Sequence, residues 1–172
     1  MPEQRLKFQE NGVYAALTAR PEPYTYHWIL FVVTNGHAET GYVLHVTDVG
    51  GKGLEFRCEY WDCPNSKSTL LFAKIGRIAE GLDYRNLLEY VRHVPMRIPA
   101  GKEHIYSRFT CRVWFKEAIE MLNRSQVFVA CPDVDLLEKE LFQRAHAAAL
   151  LKARSRNFEY IAYKTERADA WS

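Results

Sequence analysis

Four short segments of β-type residues follow one another along the first half of the chain, and only turn-length connections separate them. The segments are 24–34, 41–48, 54–61 and 69–75. The connections contain "NGHAETG" and "DVGGKG", whose glycines and asparagine accept turn conformations readily. Parallel neighbours need a long crossover connection, so links this short predict an antiparallel meander of four strands.

The second half of the chain has helical periodicity instead. Residues 83–93 start with Asp83, a favourable N-cap, and carry an apolar face. A third helix is expected from Pro132 onwards, and the segment "FEYIAYK", residues 158–164, can close the sheet as a last strand. Between them, residues 111–123 form an amphipathic pattern with apolar positions at Cys111, Trp114, Phe115, Ala118, Ile119 and Leu122, and with Arg112, Lys116, Glu117 and Glu120 expected to face solvent.

Strands first and helices afterwards predict an α+β fold. We expect an antiparallel sheet of about four to six strands packed against helices. The length is that of one domain spanning residues 1–172, with its core in about 24–164. Residues 1–22 are polar as a whole and end in "RPEP", where the prolines favour an extended entry into the first strand.

Composition argues against several classes of protein. The net charge of +2 is too small to indicate nucleic-acid binding. No run reaches the roughly 18–20 apolar residues that span a bilayer, and the start "MPEQRLKFQENG" lacks the apolar stretch of a secretory signal. We therefore expect a cytoplasmic protein with reduced thiols at its four cysteines. Without a C-x-x-C pair or ligand-spaced histidines, no metal site is expected, and no cofactor is predicted.

Cys111 stands at the start of a predicted amphipathic helix, with Thr110 before it as a possible cap. A helix N-terminus lowers the pKa of a cysteine and favours the nucleophilic thiolate. Such a cysteine needs a histidine as base and a further polar group to orient that histidine. His27 and His45, on two neighbouring predicted strands, are candidates for these roles. On periodicity alone, core packing is the favoured role of Cys111, because free cysteines are often buried.

The two histidine segments, "HWILFVV" and "GYVLHVTD", resemble the "HWAIYVG…GYVVHLAP" type of segment in the lecithin:retinol acyltransferase family and the related small phospholipase A/acyltransferases. Those proteins belong to the circularly permuted branch of the papain-like cell-wall peptidase superfamily. The resemblance implies a circularly permuted papain-like fold with His27 as general base, His45 as its orienting residue and Cys111 as nucleophile. The cysteine segment "TCRVWF" departs from the family's Asn-Cys-Glu-His-Phe type of motif.

Two functional readings follow from the resemblance. The first is a thiol acyltransferase or hydrolase that forms a thioester acyl-enzyme from a small ester, thioester or amide, with an acyl or amino-acyl donor as substrate and with water, an amine or an alcohol as acceptor. Three aromatic residues near the site in sequence are candidates to line its cleft, namely Tyr26, Trp28 and Trp114. The second is a catalytically inactive papain-like binding or regulatory module, which the altered cysteine segment favours. A nucleic-acid binder is the least favoured class.

Overall fold

A six-stranded mixed sheet is the central layer of the computed structural model, which describes residues 6–171. Its strands are β1 (Gly12–Ala19), β2 (Tyr26–Asn35), β3 (Thr40–Thr47), β4 (Glu55–Asp62), β5 (Thr69–Arg77) and β6 (Ile161–Lys164). The spatial order is β4-β3-β2-β1-β5-β6. All neighbouring pairs are antiparallel except β5 and β6, which are parallel.

Three helices pack against one face of this sheet and bury the larger apolar core. They are α1 (Tyr84–Val91), α2 (Cys111–Ser125) and α3 (Val134–Arg154). The residue before each helix caps its N-terminus by accepting backbone N–H groups through a side-chain oxygen, and these caps are Asp83, Thr110 and Asp133. The predicted α+β architecture of a sheet packed against helices is confirmed.

The opposite face of the sheet carries a second core that is rich in aromatic residues. Phe8 covers it and lies 4.9 Å from Phe72 between ring centroids. Because side chains alternate along a strand, Trp28 and Leu30 of β2 point into the helix-covered core, while Ile29 and Phe31 point into the aromatic one. Every central strand is therefore covered on both faces, which suits its nearly continuous apolar sequence.

The expectation that residues 1–22 are a polar entry segment was wrong for the part from Gly12 to Ala19. These residues form β1, a central strand between β2 and β5 whose residues 13–17 are fully buried. Polar flanking sequences and three alanines, which have low strand propensity, hide the strand in the sequence. Positions 1–5 of the predicted segment lie outside the described residues.

The predicted four-strand meander is correct only for β2, β3 and β4. The fourth predicted strand, β5, pairs with β1 instead of β4. A short 3-10 helix, Cys63–Asn65, lies in the β4–β5 connection, which carries the chain to the other side of β1. The sheet is mixed because α3 provides the crossover that parallel pairing of β5 with β6 requires.

We predict that Gly76→Ala destabilises the fold by about 2 kcal/mol, because a methyl group at this β5 position would overlap the backbone carbonyl of Phe128, a type of overpacking that costs about 1–3 kcal/mol. Urea unfolding measures the loss. Gly51→Ala is the control, since its added methyl group meets no atom and only its positive φ of 73° opposes the change, at about 1 kcal/mol. Equal losses for the two variants would contradict the close approach at Gly76.

Candidate active site

The strands β2 and β3 pair along only part of their length. Their register runs from Leu30 opposite Leu44 to Asn35 opposite Thr40. The first residues of β2, from Tyr26 onwards, pair with β1 on one side but not with β3 on the other. This unpaired end of the sheet is where the N-terminus of α2 lies, since the Cys111 thiol is 3.9 Å from the carbonyl oxygen of Tyr26.

A chain of hydrogen-bonding side chains crosses three neighbouring strands at the same end of the sheet. His27 of β2 approaches His45 of β3, with 2.6 Å between Nε2 of the first ring and Nδ1 of the second. Nε2 of His45 lies 3.2 Å from Oε2 of Glu59 on β4. The other oxygen of Glu59 accepts from Nε of Arg57 at 2.7 Å. The predicted pair of histidines is thus in direct contact, and Glu59 extends it.

The chemistry of Glu59 fixes the proton positions along this chain. An ionised carboxylate only accepts hydrogen bonds, so Nε2 of His45 must carry a hydrogen. A neutral His45 then has a bare Nδ1, which accepts from Nε2 of His27. A neutral His27 in turn has its lone pair on Nδ1, and no residue among those described bonds to that nitrogen. The arrangement therefore leaves His27 with an available basic nitrogen.

Both histidines are neutral at pH 7 in this environment. Burial, together with the smaller effects of the neighbouring His45 and Arg20, lowers the pKa of His27 to about 4. Burial also lowers the pKa of His45, against the opposing effect of its bond to Glu59. The proton positions described above require both imidazole rings to be neutral, and the lowered pKa values agree with this.

Cys111 is the first residue of α2, as the sequence predicts. Thr110 caps the helix, and its hydroxyl oxygen accepts from the Val113 N–H at 3.4 Å. The Cys111 side chain is largely buried, with 5% of the residue's surface exposed. Within residues 6–171 its thiol donates to the Tyr26 carbonyl, and no hydrogen bond joins it to His27.

His27 and Cys111 nevertheless line one cavity of about 290 Å³. Two arginines and one carboxylate share its wall, namely Arg20, Arg108 and Asp48. The remaining lining residues are Val46, Thr47, Leu54, Phe109 and Thr110. His45 is not among the lining residues, so it contacts the cavity only through His27.

The three predicted aromatic lining residues lie in the core. Tyr26 packs against Phe142, Trp28 against Phe115, and Trp114 against Phe56, with ring centroids 5.5–5.6 Å apart. None of the three is among the residues that line the cavity. No bound substrate tests whether these three aromatic residues contact one, so that contact stays a prediction.

Sequence reasoning missed Glu59 and the charged residues of the cavity wall. A signal for Glu59 was present, because the alternation in "LEFRCEYW" sets Arg57 and Glu59 on a polar face. The strand register places Arg57 opposite His45, so that polar face meets the histidine. Arg20 and Arg108 lie in irregular connections, where no periodic pattern predicts the direction of a side chain.

Residues 13–129 match the sequence model of a family described as "Family of unknown function (DUF6540)". This range covers more than half of the chain. The protein belongs to that family. No curated protein and no solved structure matches the chain. The matched range contains β1 from its second residue, β2 to β5, α1 and α2, and with them His27, His45, Glu59 and Cys111.

Two kinds of feature are absent from the described part of this DUF6540 protein. Residues 6–171 contain no cluster of three or more histidine, cysteine, aspartate or glutamate side chains that could hold a metal ion. In the same part of the chain, no helix has the length and apolar character to cross a membrane.

We predict that both histidines carry their hydrogen on Nε2 at pH 7.5, because Glu59 can only accept. Two-bond proton–nitrogen correlation spectra of the ¹⁵N-histidine-labelled protein distinguish the two tautomers directly. Glu59→Gln supplies an amide that can also donate, so we expect this variant to shift His45 and His27 towards the Nδ1–H tautomer. An Nδ1–H form of His27 in the wild type would show that the hydrogen bonds between His27, His45 and Glu59 have the opposite donors and acceptors.

We predict that stability falls as the pH drops from about 6.5 to about 4. The unfolded chain binds a proton at His27 near pH 6.5, whereas the folded protein binds it only near the lowered pKa of about 4. Stability is therefore highest above pH 6.5 and falls by roughly 3 kcal/mol across this interval, because each unit of difference between the two pKa values corresponds to about 1.4 kcal/mol. Urea midpoints at several pH values measure it.

His27→Gln should flatten this pH dependence, because it removes the titrating group. His37→Gln is the matched control, since His37 is an exposed residue of the β2–β3 turn. The difference between the two variants isolates His27 from the carboxylates that titrate in the same range. An unchanged slope in His27→Gln would contradict the assignment.

Proposed function

We propose that the protein is a cysteine-dependent acyltransferase or hydrolase with a circularly permuted papain-like fold. The observation that carries the proposal is that Cys111 and His27 line one cavity, while His45 and Glu59 hold His27 from behind. A nucleophile, a base and a group that orients the base are the parts that thiol catalysis needs. The chain order His27, His45, Cys111 is the order of the permuted family that the sequence resembles.

In the proposed reaction, His27 takes the proton of the Cys111 thiol on Nδ1. The thiolate attacks the carbonyl carbon of an ester, thioester or amide, and the carbonyl oxygen becomes an oxyanion. When the tetrahedral intermediate collapses, the carbon–leaving-group bond breaks, and His27 gives its proton to the departing alcohol, thiol or amine. Cys111 now carries the acyl group as a thioester.

The second half of the cycle repeats these steps with the acceptor. His27 removes a proton from water, an amine or an alcohol, which attacks the thioester carbonyl. The carbon–sulfur bond then breaks, and the proton returns from His27 to the Cys111 sulfur. Water as acceptor makes the protein a hydrolase, whereas an amine or alcohol makes it a transferase.

The start of α2 supplies stabilisation for the negative charges of both half-reactions. The first-turn N–H groups of a helix lack intrahelical partners and favour an anion beside them. Thr110 already accepts the N–H of Val113, and the N–H groups of Cys111 and Arg112 precede it in the same turn. We assign the Cys111 N–H to the oxyanion site.

An inactive binding module is the second candidate, and a specific observation favours it. The Cys111 thiol bonds to the Tyr26 carbonyl and not to His27. Catalysis therefore requires the thiol to leave that carbonyl when substrate enters. Catalytic hydrogen bonds are often long in substrate-free enzymes and tighten only in the complex.

We predict that Cys111 is the first thiol to be alkylated by limiting iodoacetamide at pH 7.5. Two of its three competitors react slowly because burial raises the pKa of Cys58 and raises that of Cys131 to about 11, and the third, Cys63, is fully buried. Peptide mass spectrometry of the native protein reads out the order. The same protein exposed to p-nitrophenyl acetate should carry an acetyl group on Cys111.

His27→Ala should slow both modifications of Cys111 by about tenfold or more, as loss of a general base does. His93→Ala is the matched control, because His93 is an exposed residue just after α1. Cys131→Ser should leave acetylation unchanged. Slow alkylation of Cys111 together with no acetyl adduct would support the inactive binding module instead.

A further inference from the structure

The cavity that holds Cys111 contains two arginines that form no ion pair with any described residue. Arg20 reaches it from the turn after β1, and Arg108 from the connection before α2. Within the described residues, neither guanidinium lies within ion-pair distance of a carboxylate. Asp48, after β3, is the single acidic residue of the wall, and it likewise forms no ion pair within the described residues. Since His27 is neutral, the wall carries a net positive charge.

In a neighbouring cavity, Arg108 differs from the other cations in its lack of an ion-pair partner among the described residues. This second cavity, of about 480 Å³, shares Arg108 and Thr110 with the first. Its other cations are already paired with carboxylates: Lys102 with Glu117 and Glu120, Arg112 with Glu138, and Lys116 with Asp135 and Glu138. Among the described residues that line the two cavities, Arg108 is thus an unpaired cation that both cavities share.

We infer that the Cys111 cavity binds an anionic group, a carboxylate or a phosphate, carried by the acyl donor. The inference rests on the proposed function and adds the class of substrate. A guanidinium offers paired N–H donors that fit the two oxygens of a carboxylate or phosphate. An anion held by Arg108 and Arg20 stays in the cavity that presents Cys111, and the second cavity leaves room for the rest of an extended polar donor.

Two alkylating reagents that differ only in charge test the inference. Iodoacetate and iodoacetamide form the same sulfur–carbon bond and release the same iodide, but iodoacetate is an anion. The ratio of their rate constants at Cys111, divided by the ratio for N-acetylcysteine, measures the preference of the cavity for an anion. We expect a normalised ratio above one in the wild-type protein.

Four substitutions test whether the normalised ratio depends on the charges of the cavity wall. Arg108→Gln and Arg20→Gln should each lower it by about threefold, the Coulomb effect of one charge about 6 Å away in a largely aqueous surrounding. Asp48→Asn should raise it. Arg124→Gln should leave it unchanged, because Arg124 lies in the last turn of α2, about 20 Å along the helix from Cys111.

A second measurement does not depend on thiol reactivity. Addition of inorganic phosphate, or separately of acetate, at constant ionic strength should shift the imidazole signals of His27 in wild type, and much less in Arg108→Gln. The stronger of the two anions identifies the group as phosphate or carboxylate. Binding with an inert Cys111 would overturn the proposed catalysis but support the anion site.

The opposite outcome is equally distinct. A rapidly alkylated Cys111 whose normalised ratio is near one, and is unchanged in both arginine variants, would overturn the anion site and leave the proposed catalysis standing. Phosphate and acetate that shift no His27 signal would count against the site in the same way.

Discussion

An ionised carboxylate accepts hydrogen bonds and donates none, and the arrangement of the candidate site depends on this property of Glu59. Because Glu59 can only accept, the ring of His45 must donate to it, and the ring of His27 must then donate to His45. Three adjacent strands hold these side chains at fixed spacing. The sheet therefore determines both the position of His27 and the nitrogen on which its lone pair lies.

The strand pairing in this sheet also allows the start of α2 to place the Cys111 thiol near β2. Where β2 no longer pairs with β3, the carbonyl of Tyr26 is left for another donor, and the Cys111 thiol takes it. Alternation along β2 sends Trp28 into the core beneath the helices and His27 towards the other face. The cavity lies at the end of the sheet where β2 and β3 are unpaired. There His27, which points to the face opposite the helices, and Cys111, which belongs to a helix, line the same cavity.

Periodicity and turn signals were enough to predict most elements, including α2 from its first residue, Cys111. They failed for β1, because a central strand covered on both faces has no alternation and its alanines weaken the strand signal. They also placed Lys116 on the solvent side of α2, whereas carboxylates from α3 pair with it in a buried position. Which strands become neighbours, and hence that Glu59 meets His45, depends on tertiary packing that no local pattern encodes.

The position of β4 at the edge of the sheet has a further consequence. Glu59 is partly exposed there, with 40% of its side-chain surface open to solvent, while His27 at the other end of the chain faces the cavity. This series of hydrogen-bonded side chains thus runs across three neighbouring strands, from the partly exposed edge strand to the cavity. In the tautomers that Glu59 imposes, both hydrogens of the series point towards Glu59, so the path leads a proton outward from His27. Under the proposed catalysis, a proton taken up on Nδ1 of His27 would have a route to solvent at the sheet edge while a bound molecule fills the cavity.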